Sequence, residues 1–503
     1  MKYYLALDQG TTSSRAIVYS ETFEALAVGQ KSFPQRFPKS DWVEHDLSEI
    51  WDSMESSVKM ALAEMSQKNP GFSPQQIRAI GITNQRETFG LWTKADSEPV
   101  MRAIVWQCRR SAELCSKLKR QTVARQVASE AGLVLDPYFS ATKLMWVFKQ
   151  RPDLHARAKK GELAFGTIDT FLIWKLSQGQ SHVTDASNAS RTLLMNLKTA
   201  SWSPKALRLF GVPQSVLPTI LDSNAEFGVT RGLSFLPDGI PITGVLGDQQ
   251  SALFGQQCLN PGLCKVTYGT GAFFLMNVGS KPKPSKHGLR TVAWRLNGRS
   301  TYAVEGAVFI AGAAVQWIRD GLKMISQSKE IETVAKEVPD SDGVFFVPAL
   351  TGLGTPLWVP GARGLLGGLS RRSSRGHIAR AVLEGIAHSV CDLIEALSVS
   401  SGTKPKGVRV DGGASLNDTL LAAQSRFLGI PLERPKDVET TARGAAMMAA
   451  LGRGETTLED LSKLESRYFR VEPRGRPTER KTLRTRWKKQ LKACADLAVE
   501  ADH

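Results

Sequence analysis

Two stretches, LALDQGTTSSRAIVYS (5–20) and CKVTYGTGAFFLMNVGS (264–280), share one pattern. Each runs as an apolar strand, then a turn crowded with Gly and hydroxyl residues, then a second apolar strand. The segments after each pair are also alike. In the first half, strands at 4–8, 14–20 and 25–33 read as an antiparallel meander. Asp46 with Glu49 predicts a capping box, and Leu47, Ile50, Trp51, Met54, Val58, Leu62 and Met65 recur at helical spacing behind it. IRAIGITNQ (77–85) then returns to strand character. In the second half, TVAWRLNGRSTYAV (291–304) supplies further strands. A helix pattern over 375–397 comes next and leads into the strand VRVDGG (408–413). Strands and helices alternating in both halves point to an α/β layer rather than a helical bundle, and predict a duplicated unit. The boundary falls near residue 255, just after the helix pattern that starts at Asp248, giving domains 1–254 and 255–503. No Ser/Gly linker marks it, so two packed, hinged halves are expected rather than tethered ones.

A chain of 503 residues is long enough for two to four compact units. Its 42% hydrophobic and 22% charged content is that of an ordinary globular protein, not a disordered one. The N-terminus lacks the pattern of a secretory signal. The longest uncharged stretch, 343–362, is broken by Pro and Gly and reads as buried loops and short strands rather than a membrane span. Six Cys without a C-x-x-C pair predict free buried thiols in a reducing cytosol. The net charge of +17 is concentrated toward the end, in 466–493, which reads as a solvated basic helix. No zinc finger, RNA-recognition signature or heptad-bearing basic helix accompanies it, so neither nucleic-acid binding nor membrane insertion is expected.

A turn of small residues leaves backbone N–H groups free to converge on an anion, and Thr and Ser hydroxyls add donors. DQGTTSSR therefore reads either as a phosphate cradle or as a plain hairpin, since Asp, Gly and Ser are also ordinary turn formers. Asp8 beside it suits a divalent cation, because Mg²⁺ favours one or two carboxylates plus phosphate oxygens. TYGTGAF (267–273) and DGGASLND (411–418) are two more such loops, each after an apparent strand. No G-x-x-x-x-G-K-[ST] is present, nor the protein-kinase H-R-D and D-F-G sets. What survives is a duplicated domain gripping a nucleotide between its halves.

ALDQGTTSSRA, GITNQRET, IVWQCRR, DPYFSATK, GDQQSALFGQ, TYGTGAFFLMN, EGAVFIAGAAVQW and RVDGGASLN, in this order, resemble the FGGY carbohydrate kinase family. So do YFSATKLMWVFKQ (138–150) and GLLGGLSRRSSRGHIARAVLE (364–384), which match its two signatures. GITNQRET and GDQQ resemble the members that act on glycerol. The resemblance implies two duplicated ribonuclease H-like domains of the actin-like ATPase type with an interdomain cleft. It implies ATP and Mg²⁺ as cofactors, and ATP plus glycerol giving ADP and sn-glycerol 3-phosphate. Carried over residue by residue, it implies Asp248 as the general base and Gln249 on the substrate hydroxyls. Arg86, Glu87 and Tyr138 would grip the polyol, with Trp106 and Phe273 packing on its carbons. Thr11, Thr12, Ser13, Arg15, Thr270, Gly312, Gln316, Gly413 and Asn417 would hold the nucleotide, and Asp8 would orient Mg²⁺ through water. From the residues alone Asp248 could equally cap a helix, Arg86 and Glu87 could be an exposed ion pair, and Gly312 a helix-packing glycine. A cytoplasmic homodimer or homotetramer is the further implication. The chain departs from some members at 227–241, where no Gly-Gly-Thr-Arg loop for fructose 1,6-bisphosphate stands, and in its far more basic C-terminal segment.

Overall fold

In the computed structural model, which describes residues 2–281, 283, 287–355, 357, 359, 361–436, 439–464 and 468–500, the opening pattern builds the middle of a six-stranded sheet. β1 (Tyr3–Gln9) pairs antiparallel with β2 (Ser13–Ser20), and β2 with β3 (Ala25–Ser32). After α1 (Leu47–Lys68) the chain returns as β4 (Ile77–Asn84), parallel to β1. After a long excursion it returns again as β5 (Pro241–Gly247), parallel to β4, and runs directly into α2 (Asp248–Gly255). Gly228–Val229 closes the β5 edge antiparallel. β1, β4 and β5 are apolar on both faces, as strands covered on both sides require. Leu47, Ile50, Met54, Val58, Ala61 and Met65 of α1 join Leu5, Leu7, Ile80 and Ile82 in one core. Asp46 caps α1 by accepting from the Ser48 amide. The expected capping box does not close, because Glu49 pairs with Arg36 instead.

The second sheet repeats this plan. β6 (Leu263–Tyr268) pairs antiparallel with β7 (Ala272–Gly279), whose other neighbour is β8 (Arg299–Val308). Then come α3 (Gly312–Asp320) and α4 (Arg375–Ser401), then β9 (Gly407–Asp411), parallel to β6. α5 (Asp418–Leu428) leads to β10 (Leu432–Pro435), parallel to β9. After α6 (Thr440–Gly452), β11 (Tyr468–Val471) closes the β10 edge antiparallel, and α7 (Pro477–Glu500) ends the described chain. The strand order β8-β7-β6-β9-β10 is that of β3-β2-β1-β4-β5, with a short antiparallel strand on the same edge. The two Gly- and hydroxyl-rich turns thus occupy equivalent hairpins of a duplicated fold.

The chain divides into two compact units, one of residues 1–259, 290–303 and 439–464, the other of 260–289, 304–438 and 465–503. The contiguous halves anticipated from sequence are a different partition. The reason lies in α6, which packs into the first unit by bare backbone. A Cβ on Gly81 of β4 would stand 2.1 Å from the Ala445 carbonyl oxygen. A Cβ on Gly255 of α2 would stand 2.0 Å from the Thr440 oxygen, and one on Gly444 of α6 would stand 2.0 Å from the Ser251 oxygen.

α7 is not simply solvated as its charge suggested. Its Arg484 and Trp487 are buried against α4, where Trp487 Nε1 donates to Asp392 Oδ2 at 2.6 Å and Arg484 spans Asp392 and Glu395. In the uncharged stretch 343–362 a strand forms at Phe345–Val347, while Pro356, Trp358 and Pro360 lie outside the described residues. All six Cys are buried and none is in a disulfide. Among the described residues no helix is long and apolar enough to cross a membrane.

Candidate functional site

Register alone brings the chemistry of the first unit together. In the ladders Gln9 faces Asn84, and Asn84 faces Gly247, so the carboxyl ends of β1, β4 and β5 lie side by side. Open α/β sheets bind ligands beyond such ends. Arg86 and Glu87 follow β4, Asp248 and Gln249 follow β5, and Asp8 lies on β1. Arg86 Nε sits 3.1 Å from Asp248 Oδ1 and 4.0 Å from Glu87 Oε1. Its Nη1 donates to Gln250 Oε1 at 3.2 Å. Gly247 makes room, since a Cβ there would stand 2.8 Å from the Arg86 side chain. Arg86 and Glu87 are buried, at 3% and 1% exposure, so the exposed-pair reading does not hold. Asp248 is the first residue of α2, with Gly247 at the cap position, and its Oδ1 accepts the Gln249 amide at 2.6 Å. Its side chain is one-third exposed.

Glu87 is held in a strained turn. Its φ is +61°, and the Thr88 amide donates back across it to the Arg86 carbonyl at 2.7 Å. A bulky residue in that region costs on the order of 1–3 kcal/mol, and such strain clusters at ligand sites. The turn is tied down on both sides. Thr88 Oγ1 donates to Gln85 Oε1 at 2.9 Å and accepts the Trp106 amide at 3.1 Å, while Gln85 Nε2 donates to Gln9 Oε1 at 3.0 Å. Trp106 meets Tyr138 edge to face at 5.5 Å, and its Nε1 donates to Thr11 Oγ1 at 3.1 Å. One network thus joins Arg86, Glu87, Trp106, Tyr138 and Asp248 to the first Gly-rich loop.

In that loop the Gly10 amide donates to the Ser13 carbonyl at 3.0 Å. Among the described residues the Thr11 and Thr12 amides have no backbone partner, as a phosphate cradle needs. Ser13 Oγ accepts from Gln30 at 3.0 Å. Asp8 lies opposite Arg15 in the β1–β2 ladder. Burial pushes the Asp8 carboxyl up to about 7; Arg15 opposes this, and the like charges of Asp248 and Glu439 add to it. Arg15 itself is engaged by Glu439. A cation near Asp8 would relieve this crowding of negative charge, so the residues present fit one. Among the described residues no three His, Cys, Asp or Glu side chains converge as a cage. A single carboxylate such as Asp8 suits a cation whose other ligands are water and phosphate oxygens, as Mg²⁺ prefers.

The remaining predicted residues lie in the second unit. Thr270 is exposed at the β6–β7 turn, where its carbonyl accepts the Ala311 and Ala313 amides at 2.9 and 3.0 Å. Gly312 opens α3 and donates its amide to the Gly269 carbonyl at 3.0 Å; a Cβ on it would stand 2.6 Å from that oxygen. Here it braces the loop. Gln316 is exposed on α3, and Phe273 is half-buried opposite Thr267. β9 lies beside β6 with Asp411 facing Thr267, which sets the DGG turn next to TYGTG. Gly413 is exposed there, and Asn417 caps α5 by accepting the Leu420 amide at 2.9 Å.

Two buried cations escaped the sequence reading. Arg191 Nε lies 2.6 Å from Glu87 Oε1, and Lys143 Nζ donates to the Val105 and Tyr138 carbonyls at 3.1 and 3.2 Å. Burial brings the Lys143 amine down to about 8. The usable signal was the run TDASNASRT (184–192), a cluster of small polar residues too long for a loop of this kind and here wholly buried.

Residues 3–255 match the N-terminal domain, and 264–452 the C-terminal domain, of the FGGY family of carbohydrate kinases. The chain is 49% identical to a glycerol kinase of Bdellovibrio bacteriovorus, covering 97% of this chain and 98% of that one. It is 50% identical to a glycerol kinase of Myxococcus xanthus, covering 97% and 99%. Among solved structures, the Plasmodium falciparum glycerol kinase with ADP superposes with a TM-score of 0.93 at 32% identity, over 98% of both chains. A xylulose kinase of Rhodospirillum rubrum, 19% identical over 99% of this chain and 100% of that one, shares the fold with a TM-score of 0.86.

Proposed function

The chain belongs to the FGGY family of carbohydrate kinases and is a kinase that phosphorylates glycerol with ATP; we propose that the residues at the β1, β4 and β5 ends carry out the transfer, giving sn-glycerol 3-phosphate. The observation that supports this assignment best is the buried Arg86 guanidinium placed between two carboxylates, 3.1 Å from Asp248 and 4.0 Å from Glu87. Guanidinium donors and carboxylate acceptors read hydroxyl groups together, and a site built that way rejects analogues lacking them. Arg86, Glu87 and Tyr138 hold the polyol, Gln249 contacts its hydroxyls, and Trp106 packs on its carbons, with Phe273 in the same role.

Asp248 is the base. Among the described residues, the contacts from Arg86 Nε and the Gln249 amide fall on Oδ1, which leaves Oδ2 to the substrate. As the acceptor oxygen bonds to the γ-phosphorus and the bond to the β-phosphate oxygen breaks, the hydroxyl proton passes to Oδ2 and ADP leaves. The transition state is loose, so the protein contributes mainly position and charge. Free amides at Thr11 and Thr12 and the Ser13 hydroxyl hold phosphate oxygens. Arg15 joins them on leaving Glu439. Thr270, Gly312, Gln316, Gly413 and Asn417 hold the rest of the nucleotide. Asp8 would hold Mg²⁺ through water, and the cation would supply charge neutralisation at the phosphates. A cytoplasmic homodimer or homotetramer serving glycerol catabolism completes the reading; six buried thiols outside any disulfide fit a reducing compartment.

The test is ADP release with glycerol, dihydroxyacetone, erythritol and xylulose, with the product from glycerol identified by phosphorus NMR. Glycerol should give the highest kcat/KM by about tenfold or more, the scale on which a pocket separates substrates that differ by one small group. Preference for xylulose would overturn the assignment of the polyol residues.

A further inference from the structure

Arg191 stands out among groups to which the proposed mechanism gives no part. It has no exposed surface, and its Nε lies 2.6 Å from Glu87 Oε1. Its guanidinium also packs 5.7 Å from the Tyr138 ring and 5.4 Å from that of Phe139. It thus touches two of the residues assigned to the polyol. The turn that carries it is pinned from within. Asp185 caps the short helix Ala186–Ala189, accepting the Ser187 and Asn188 amides at 2.8 Å each. The same turn reaches the two strand ends at the site. Ser187 Oγ accepts the Gly247 amide, one residue before Asp248, at 2.9 Å, and Asn188 Oδ1 accepts from Asn84 at 3.0 Å.

Glu87 and Asp248 face two guanidiniums, Arg191 on Glu87 and Arg86 on Asp248, with Lys143 a further positive charge acting on Glu87 and Asp8 a further negative charge beside Asp248. With Arg191 on Glu87, Arg86 is left to Asp248. Without it, Glu87 would be a buried carboxylate competing for Arg86, and a buried charge stripped of its partner is far more costly than an exposed one. We propose that Arg191 is a positioning residue for polyol recognition, which holds Glu87 and Tyr138 in their binding geometry and thereby leaves Arg86 to Asp248.

This rests on the glycerol reading, and the test separates the two. Arg191→Met, Arg191→Lys and Glu87→Gln, with the Met/Gln double variant, are assayed for kcat and for the KM values of glycerol and ATP. Circular dichroism and ADP binding check the fold. Arg191→Met should raise the glycerol KM about tenfold or more while the ATP KM stays within about twofold. Arg191→Lys should recover part of the loss. The double variant should lose little beyond Glu87→Gln alone, because the two residues act as a pair. A glycerol KM within about twofold of wild type in Arg191→Met, or additive losses in the double variant, would overturn the proposal. Should Arg191→Met fail to fold, Arg191→Lys against Glu87→Gln carries the same comparison. A wild type that prefers another polyol defeats the glycerol reading alone, and the series is then read on the polyol it accepts.

Discussion

Gly444→Ala adds one methyl group at the place where α6 meets the helix that begins with Asp248. The new Cβ would stand 2.0 Å from the Ser251 carbonyl oxygen, 2.7 Å from its carbon and 2.8 Å from Ser251 Oγ. A carbon meets a carbonyl oxygen comfortably at roughly 3.3 Å, so α6 and α2 must part by roughly 1.3 Å. Nothing flexible lies in the way, since the nearest two atoms are backbone. On an open helix face the same change stabilises by about 1 kcal/mol, whereas overpacking a tight contact costs about 1–3 kcal/mol. The net expectation is a loss of up to about 2 kcal/mol, seen as a lower urea midpoint by tryptophan fluorescence. Activity should fall further than stability. A shift of about 1 Å at a reacting group costs on the order of a hundredfold, so kcat/KM for glycerol should fall tenfold to a hundredfold, on that scale. A variant more stable than wild type with unchanged kcat/KM would show that the Gly444–Ser251 contact yields freely, and that it does not place Asp248.

Asp169 offers a test of buried charge in the first unit. Burial, then the neighbouring Asp185, pushes its carboxyl up to about 7, against the hydrogen bonds from Thr167 and Thr184. Between about 4 and 7 the folded state then holds more protons than the unfolded chain, so this contribution to stability is present at low pH and lost as pH rises through 7. Asp169→Asn should flatten the pH dependence of the urea midpoint over that range; an unchanged slope would contradict the assignment. Gly412 has a φ of +83°, and a Cβ on it would stand 2.3 Å from the Tyr268 carbonyl oxygen at the TYGTG turn. Gly412→Ala should leave a folded protein whose ATP affinity, measured by calorimetry, is about tenfold weaker or worse, as a strain of about 1–3 kcal/mol implies. Wild-type affinity would separate that turn from the nucleotide.

Features written locally in the chain were legible. The two hairpins were visible because a strand's period of two breaks at a turn that needs Gly and small residues, and α1 because Leu47, Ile50, Met54 and Val58 recur at helical spacing. Asp8, Asp248 and the Arg86–Glu87 pair stood at strand ends, where side chains can leave the sheet. Features that depend on distant partners were not legible. Glu49 looked like a box partner for Asp46 until Arg36 claimed it. Arg191 and Glu87 are 104 positions apart, and neither is unusual by itself. The small residues of α6 announce burial but not which unit supplies the neighbour; that depends on Gly81 and Gly255 facing them. The basic character of α7 concealed Trp487 and Arg484, whose partner Asp392 lies on α4.

The central claim is that Asp248 takes the proton of the glycerol hydroxyl while the other residues hold substrate and nucleotide in place. Its most direct test is the rate of ADP and glycerol 3-phosphate formation by Asp248→Asn at saturating ATP and glycerol, beside ATP binding measured on the same preparation. The account predicts unchanged ATP affinity with kcat lowered by about a hundredfold to ten-thousandfold, the usual worth of a positioned base. Wild-type turnover in that variant would contradict it.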